Sequence, residues 1–145
     1  MTPITQQPRY DEIAIGTELP EHTFTVRRGD LVRYAGASGD FNEIHWSERV
    51  ATAVGLPNVI AHGMLTMAQA GRVVTDWIGD PGGLLEYGVR FSSPVVVPDD
   101  DQGAEVRVGG RVTEKRDNNE VVVAITANSG EAKVLTRATA VVRLP

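Results

Sequence analysis

The sequence predicts an α+β fold, one antiparallel β-sheet wrapped around a long central helix, and three observations carry that prediction. Thirteen of the 20 valines fall in the last 62 residues, from Leu84 onward, and β-branched side chains favour a pleated surface. In that half Leu85, Tyr87, Val89 and Phe91 alternate with Glu86, Gly88 and Arg90, the period of a strand with one buried face. From Gly63 to Ile78 the residues Met64, Leu65, Met67, Ala68, Ala70, Val73, Val74, Trp77 and Ile78 leave only a narrow polar stripe of Thr66, Gln69, Arg72 and Asp76. A helix so apolar must be wrapped by other structure.

The elements follow in order. His22 to Val26 reads as a first strand, and Asp30 is placed to cap a short helix running through Tyr34 and Ala35. Between Gly36 and Ala61 lies an irregular stretch with Gly and Asn, and a loop that long in a compact domain usually carries function. The central helix ends at Gly79-Asp80-Pro81-Gly82-Gly83, where Gly supplies a left-handed cap and Pro cannot continue the helix. The strand Leu85 to Phe91 stops before Pro94, Pro98 and three aspartates. Val106, Val108 and Val112 mark the next strand, the turn Asp117-Asn118-Asn119 leads to Val121 to Ala127, and Asn128-Ser129-Gly130 leads to a last strand, Val134 to Leu144.

Length and composition bound the rest. A chain of 145 residues suits one domain, residues 1–145, burying roughly 70% of its unfolded surface, with the polar, two-proline segment 1–9 expected to be flexible. A net charge of −5 with eight aromatics and no Lys/Arg block lacks the phosphate-neutralising charge and stacking platform that nucleic-acid binding needs. No cysteine is present, which excludes thiolate nucleophiles, disulfides and Cys-held metals together. No apolar run approaches the ~20 residues of a membrane span, and the expected location is cytoplasmic.

Chemistry concentrates in Ser38-Gly39-Asp40-Phe41-Asn42-Glu43-Ile44-His45, which holds a carboxylate, an amide and one of only three histidines. On a regular helix Asp40 and His45 would point ~140° apart, and in an extended chain they would lie ~16 Å apart. Only a curled loop brings them together. Converged, they could share one water or hydroxyl, the minimum equipment for adding or removing water by general acid/base catalysis. Gly-Asp-x-Asn is equally ordinary turn chemistry. A second feature is Ile60-Ala61-His62-Gly63-Met64 at the helix opening. The first N–H groups of a helix lack internal acceptors, and the dipole adds roughly half a positive charge there. Gly63 would let a carbonyl oxygen approach, or would merely permit tight helix-on-sheet packing. His62 is read first as structural, with substrate contact as a secondary role.

Tyr34-Ala35-Gly36-Ala37-Ser38-Gly39-Asp40-Phe41-Asn42-Glu43-Ile44-His45 and Ala61-His62-Gly63-Met64-Leu65-Thr66 resemble the signatures of the MaoC-like (R)-specific enoyl hydratases and dehydratases. Val54-Gly55-Leu56, Asp76 to Gly82 and Glu86 to Phe91 are similar to the HadB-type catalytic subunits of actinobacterial (3R)-hydroxyacyl-ACP dehydratases. The resemblance covers roughly residues 12 to 143. It implies a hot-dog fold, working as a homodimer or with a sister hot-dog subunit, and reversible (3R)-hydroxyacyl-thioester dehydration with no metal or organic cofactor. The substrate would be an acyl-ACP of type II fatty-acid elongation, or an acyl-CoA. The alternatives are a non-catalytic acyl-binding subunit of a heteromeric dehydratase, or an (R)-specific enoyl-CoA hydratase of β-oxidation or polyester-precursor supply, with a hot-dog thioesterase as a third reading. Asp40 and His45 would be the catalytic pair, Asn42 would help hold them and the substrate, and the N–H of Gly63 would bind the thioester carbonyl.

Asp40 must then spend part of the cycle protonated, which an apolar pocket favours, so it is expected to be buried. Glu43 stands where the signature commonly has proline, which questions the stiffness of the turn. Trp46, Val54, Leu56, Val59, Ile60 and Trp77 are candidates for acyl-pocket walls and are equally at home in a core.

Overall fold

The computed structural model describes residues 6–145; Met1 to Thr5, part of the segment expected to be flexible, lie outside the described residues. Five strands, β1 (Glu18–Val26), β2 (Leu84–Phe91), β3 (Ala104–Arg116), β4 (Glu120–Ser129) and β5 (Ala132–Arg143), form one antiparallel sheet in the order β1-β3-β4-β5-β2. The sheet curls around the helix α3 (Gly63–Ile78), which is the hot-dog arrangement. β3, β4 and β5 are neighbours in sequence and in space because tight turns join them. Asn118 and Asn119 adopt φ of 62° and 59°, the mirror-image turn whose twist matches the strands on either side.

The β2 strand departs from simple alternation. Its pairing with β5 slips between Leu84 and Glu86 and again between Gly88 and Arg90. Leu84, Tyr87 and Val89 therefore face the core, whereas Leu85 is 40% and Phe91 50% exposed. A period-two count assumes an unbroken pleat, and each irregularity re-aims the side chains beyond it.

Helix α3 has the predicted bounds. Gly79 closes it at φ 71°, with its N–H on the carbonyl of Thr75 at 3.0 Å. Ala70, Val73, Val74 and Ile78 are buried in the core. The polar stripe lies elsewhere than expected: Thr66 is buried, and the exposed line is Met64, Ala68, Arg72 and Asp76, successive i,i+4 neighbours. Two glycines let β2 lie close to this helix. A Cβ on Gly63 would come within 3.0 Å of the Phe91 ring, and one on Gly71 within 3.0 Å of the Tyr87 ring. The Tyr87 hydroxyl also donates to the Met67 carbonyl at 2.6 Å, and burial pushes that phenol up to about 12, so it stays a donor.

The stretch expected to be irregular contains the end of α1 (Arg28–Ser38), a 3-10 turn at Glu43–His45 and the short helix α2 (Glu48–Ala53). Asp30 does cap α1, but from its third position: the carboxylate accepts from the Arg27 N–H at 2.8 Å, the return half of a capping box. Arg28 holds this region to the sheet side. Its Nε donates to the Val97 carbonyl at 2.6 Å, and its Nη2 reaches Glu48 Oε1 at 2.9 Å and Asn58 Oδ1 at 3.1 Å. Among the described residues no helix is long and apolar enough to cross a membrane.

Gly103 sets the return into β3. At φ 73°, any Cβ there would collide with the carbonyl of Val26. Gly130, at φ 60°, has open space around it. Gly103→Ala should therefore lose about 2 kcal/mol or more in urea unfolding, against about 1 kcal/mol for Gly130→Ala. Equal losses would refute the close-approach argument.

Candidate active site

The site is built on a local turn. Gly39, at φ 79°, ends α1 with its N–H on Ala35. Ser38 Oγ then accepts the Asp40 N–H at 3.1 Å, Asp40 Oδ1 accepts the Asn42 N–H at 3.2 Å, and Asn42 Oδ1 accepts the Ile44 N–H at 3.2 Å. These are side-chain-to-backbone turns, each two residues long. Ordinary turn chemistry is what curls the segment. Asp40 Oδ2 comes to 3.8 Å from His45 Nε2. Asn42 shapes the turn by accepting the Ile44 N–H on its side chain and donating its own N–H to the Asp40 carboxylate. Trp46 adds a clamp unforeseen from the sequence, donating from Nε1 to the Phe41 carbonyl at 3.1 Å.

His45 is 7% exposed, and its Nδ1 lies 2.7 Å from the Ile60 carbonyl oxygen. A carbonyl only accepts, so Nδ1 carries the proton in the neutral ring and Nε2 presents a lone pair. That lone pair belongs to the nitrogen facing Asp40. Ile60 is itself fixed by a bond from its N–H to Ile44 at 3.2 Å, while Ala61 donates to Val95 at 2.9 Å. Nothing in the spacing of Ile60 from His45 announces this partner, which is a main-chain atom.

His62 is 1% exposed and stacks on His45, with centroids 3.8 Å apart and planes inclined at 22°. Burial is the main cause that lowers its pKa below the ordinary 6.5, partly opposed by the Asp40 carbonyl that its Nε2 meets at 3.1 Å. Gly63 follows as the first residue of α3, and among the described residues its N–H meets no acceptor. Phe91 packs on the Gly63 Cα, the tight packing the glycine permits, and among the described residues its donor remains free.

Asp40, His45 and His62 offer ligand atoms within 4.8 Å of one another, a spacing that raises a metal site as a question. Two stacked imidazole rings with centroids 3.8 Å apart and planes only 22° from parallel do not converge within the ~2.1 Å of a metal–nitrogen bond. The arrangement suits proton transfer better.

A cleft of about 370 Å³ opens beside the pair, lined by Ile44, His45, Leu56, Ile60, Gly63, Thr66 and Phe91 among others. Of the candidate wall residues, Leu56 and Ile60 line it. Val59 is buried in the core, Val54 and Trp46 are exposed, and Trp77 packs against the core near the far end of α3. Phe91 and Thr66 had been read as a strand face and a polar stripe, so their place in the cleft was not foreseen.

The expectation of a buried Asp40 is corrected: its side chain is 52% exposed. The turn lies just beyond the C-terminus of α1, and the one hydrogen bond its carboxylate accepts, from the Asn42 N–H, does not cover it. Phe41, Met64 and Phe91 are exposed as well.

Glu43 opens the 3-10 turn, the position whose N–H a helix leaves unused and where proline is welcome. Asn42 before it has φ −56° and ψ 128°, which a following proline requires. Glu43→Pro should therefore raise unfolding stability by about 0.4–1 kcal/mol, measured by urea titration; a loss would show that Glu43 contributes something its backbone does not explain.

The family model for the MaoC like domain matches residues 12–129. A 3-hydroxyacyl-thioester dehydratase X of Mycobacterium tuberculosis is 35% identical over 79 residues, 54% of this chain and 27% of that protein. An (R)-specific enoyl-CoA hydratase of Rhodospirillum rubrum is 32% identical over 93 residues, 63% of this chain and 64% of that one. The matches thus span between a quarter and two thirds of these relatives' own lengths. A solved MaoC-like dehydratase superposes with a TM-score of 0.92 at 41% identity, covering 96% of this chain and 43% of the other. With its hot-dog sheet, its Asp-x-Asn turn and its His-Gly helix opening, the chain belongs to the MaoC-like domain family.

Proposed function

We propose that the chain is a hydro-lyase that interconverts (3R)-hydroxyacyl and trans-2-enoyl thioesters. The observation that carries this reading is the 3.8 Å separation of Asp40 Oδ2 and His45 Nε2 beside an apolar cleft that includes Gly63. An oxygen placed between the two side chains can lie within hydrogen-bond distance of both. In dehydration His45 Nε2 removes the proton next to the thioester carbonyl, and the free N–H of Gly63 holds the oxygen that gains charge. The C2–H electrons form the new double bond, the C3–O bond breaks, and protonated Asp40 gives its proton to the departing hydroxyl. Water leaves. One turnover therefore leaves a proton on His45 and removes one from Asp40, and transfer across the same short gap resets the pair. Asn42 serves by holding the turn rather than by touching substrate.

The half-exposed Asp40 needs cover to remain protonated, and a bound acyl chain or a second hot-dog subunit over Phe41, Met64 and Phe91 would supply it. The names of the relatives include both dehydratase and hydratase, and both thioester and CoA; an acyl carrier protein in fatty-acid elongation is the carrier proposed here. Retention of both acid and base speaks against a purely acyl-binding subunit. Following the loss of enoyl-thioester absorbance, Asp40→Asn and His45→Ala should each lower kcat by about 100-fold or more. Wild-type rates in either variant would sink the mechanism, and release of free thiol would indicate a thioesterase instead.

A working dimer is part of the proposal. β2 and β1 each pair on one side only, and β2 carries the exposed Leu85 and Phe91. An uncovered edge of this kind is usually extended across a partner. Light scattering at micromolar concentration should give twice the chain's mass, or twice only after a sister subunit is added. A persistent monomer that is fully active would overturn it.

A further inference from the structure

His62 meets three groups at once. Its ring stacks on His45 with centroids 3.8 Å apart, Tyr34 of α1 meets it edge-on at 4.8 Å and 61°, and its Nε2 lies 3.1 Å from the carbonyl oxygen of Asp40. Because that carbonyl only accepts, Nε2 carries the hydrogen and donates it. Nδ1 of the neutral ring is then a bare acceptor, and it is buried without a hydrogen-bond partner. A residue needed only for packing would not be expected to strand a polar atom in this way, since an apolar ring fills the same space without the loss.

We propose that His62 is a positioning residue, gripping the main chain of the acid and the ring of the base so that Asp40 and His45 keep one separation. The role rests on the lyase reading given above. The fit to that reaction is electrostatic as well as steric. Burial disfavours the charged form of His62, so the ring stacked on His45 favours its neutral form. A cation at that distance would oppose His45 when it accepts the substrate proton. His62 also immediately precedes Gly63 and sets the entry to α3 with φ −60° and ψ 131°. One residue thus ties acid, base and carbonyl-binding N–H together, without reaching the cleft itself.

The test separates grip from bulk. His62→Phe keeps the stacked ring and removes the donor, whereas His62→Gln keeps an N–H near the position of Nε2. In the phenylalanine variant kcat should fall about 10- to 100-fold, the scale of a misplaced catalytic group, with KM changed less than about twofold and melting temperature not lowered. The glutamine variant should recover much of that loss. Wild-type kcat in His62→Phe, or a change in KM alone, would overturn the proposal. Should neither variant fold, ¹⁵N imidazole spectra of the wild-type chain decide: a neutral ring protonated at Nε2 is expected near pH 7, and a ring protonated at Nδ1 or at both nitrogens would overturn it. A wild-type chain that converts no enoyl thioester, alone or with a sister subunit, would instead bring down the lyase reading. Turnover by wild type with equal turnover by His62→Phe brings down only the positioning role.

Discussion

The bond from His45 Nδ1 to the Ile60 carbonyl, 2.7 Å long, is the constraint on which the site depends. It is a local contact with a remote foundation. Ile60 is held from one side by Ile44 and its neighbour Ala61 from the other by Val95, while Val59 accepts from Val97. The segment leading into α3 is therefore a rail laid between the Asp40–His45 turn and the strand-like stretch after β2. Because a carbonyl cannot donate, this rail selects the tautomer of His45 and leaves its other nitrogen basic. Two residues farther on, the same rail delivers His62 beneath the His45 ring and Gly63 at the mouth of the helix. Orientation, protonation pattern and the free N–H thus share one short piece of backbone.

Much of the fold was legible because its signals are local and periodic. The bounds of α3, its glycine stop and the succession β3, β4 and β5 follow from apolar spacing and turn residues. The misplacements have a common cause: they depend on how one element meets another. Leu85 and Phe91 look outward because β2 slips against β5, an event that its own alternation cannot record. Thr66 is buried because the cleft and β2 lie against that side of α3, and a polar side chain does not disclose which wall it will face. The short helix α2 was hidden in a stretch read as loop, for the polar anchor that seats it, Arg28 to Glu48, spans twenty positions in sequence.

The site divides along the same line. Asp40 and His45 converge through hydrogen bonds between residues two apart, so the motif contains its own folding instructions. Their surroundings do not come with the motif. On the proposed lyase reading, the exposed carboxylate and the apolar side chains near it make a reaction centre with a firm floor and an open roof. On that reading the chain itself sets the geometry for proton transfer within the pair, while dryness would come from whatever closes over it. Such a division assigns geometry to the fold and dielectric environment to what it binds.

Gly63 and Gly71 stand eight residues apart on α3, a rise of ~12 Å, and the aromatic rings they receive, Phe91 and Tyr87, stand four apart on β2, a rise of ~13 Å. Helix and strand run past one another like the two scales of a vernier, aligned at two marks. A slip of one residue in either would drive a ring into a backbone that has no room for it, so the pair of marks indexes α3 along the sheet. Because Gly63 is also where the helix opens onto the cleft, that index fixes how deep the floor of the cleft lies.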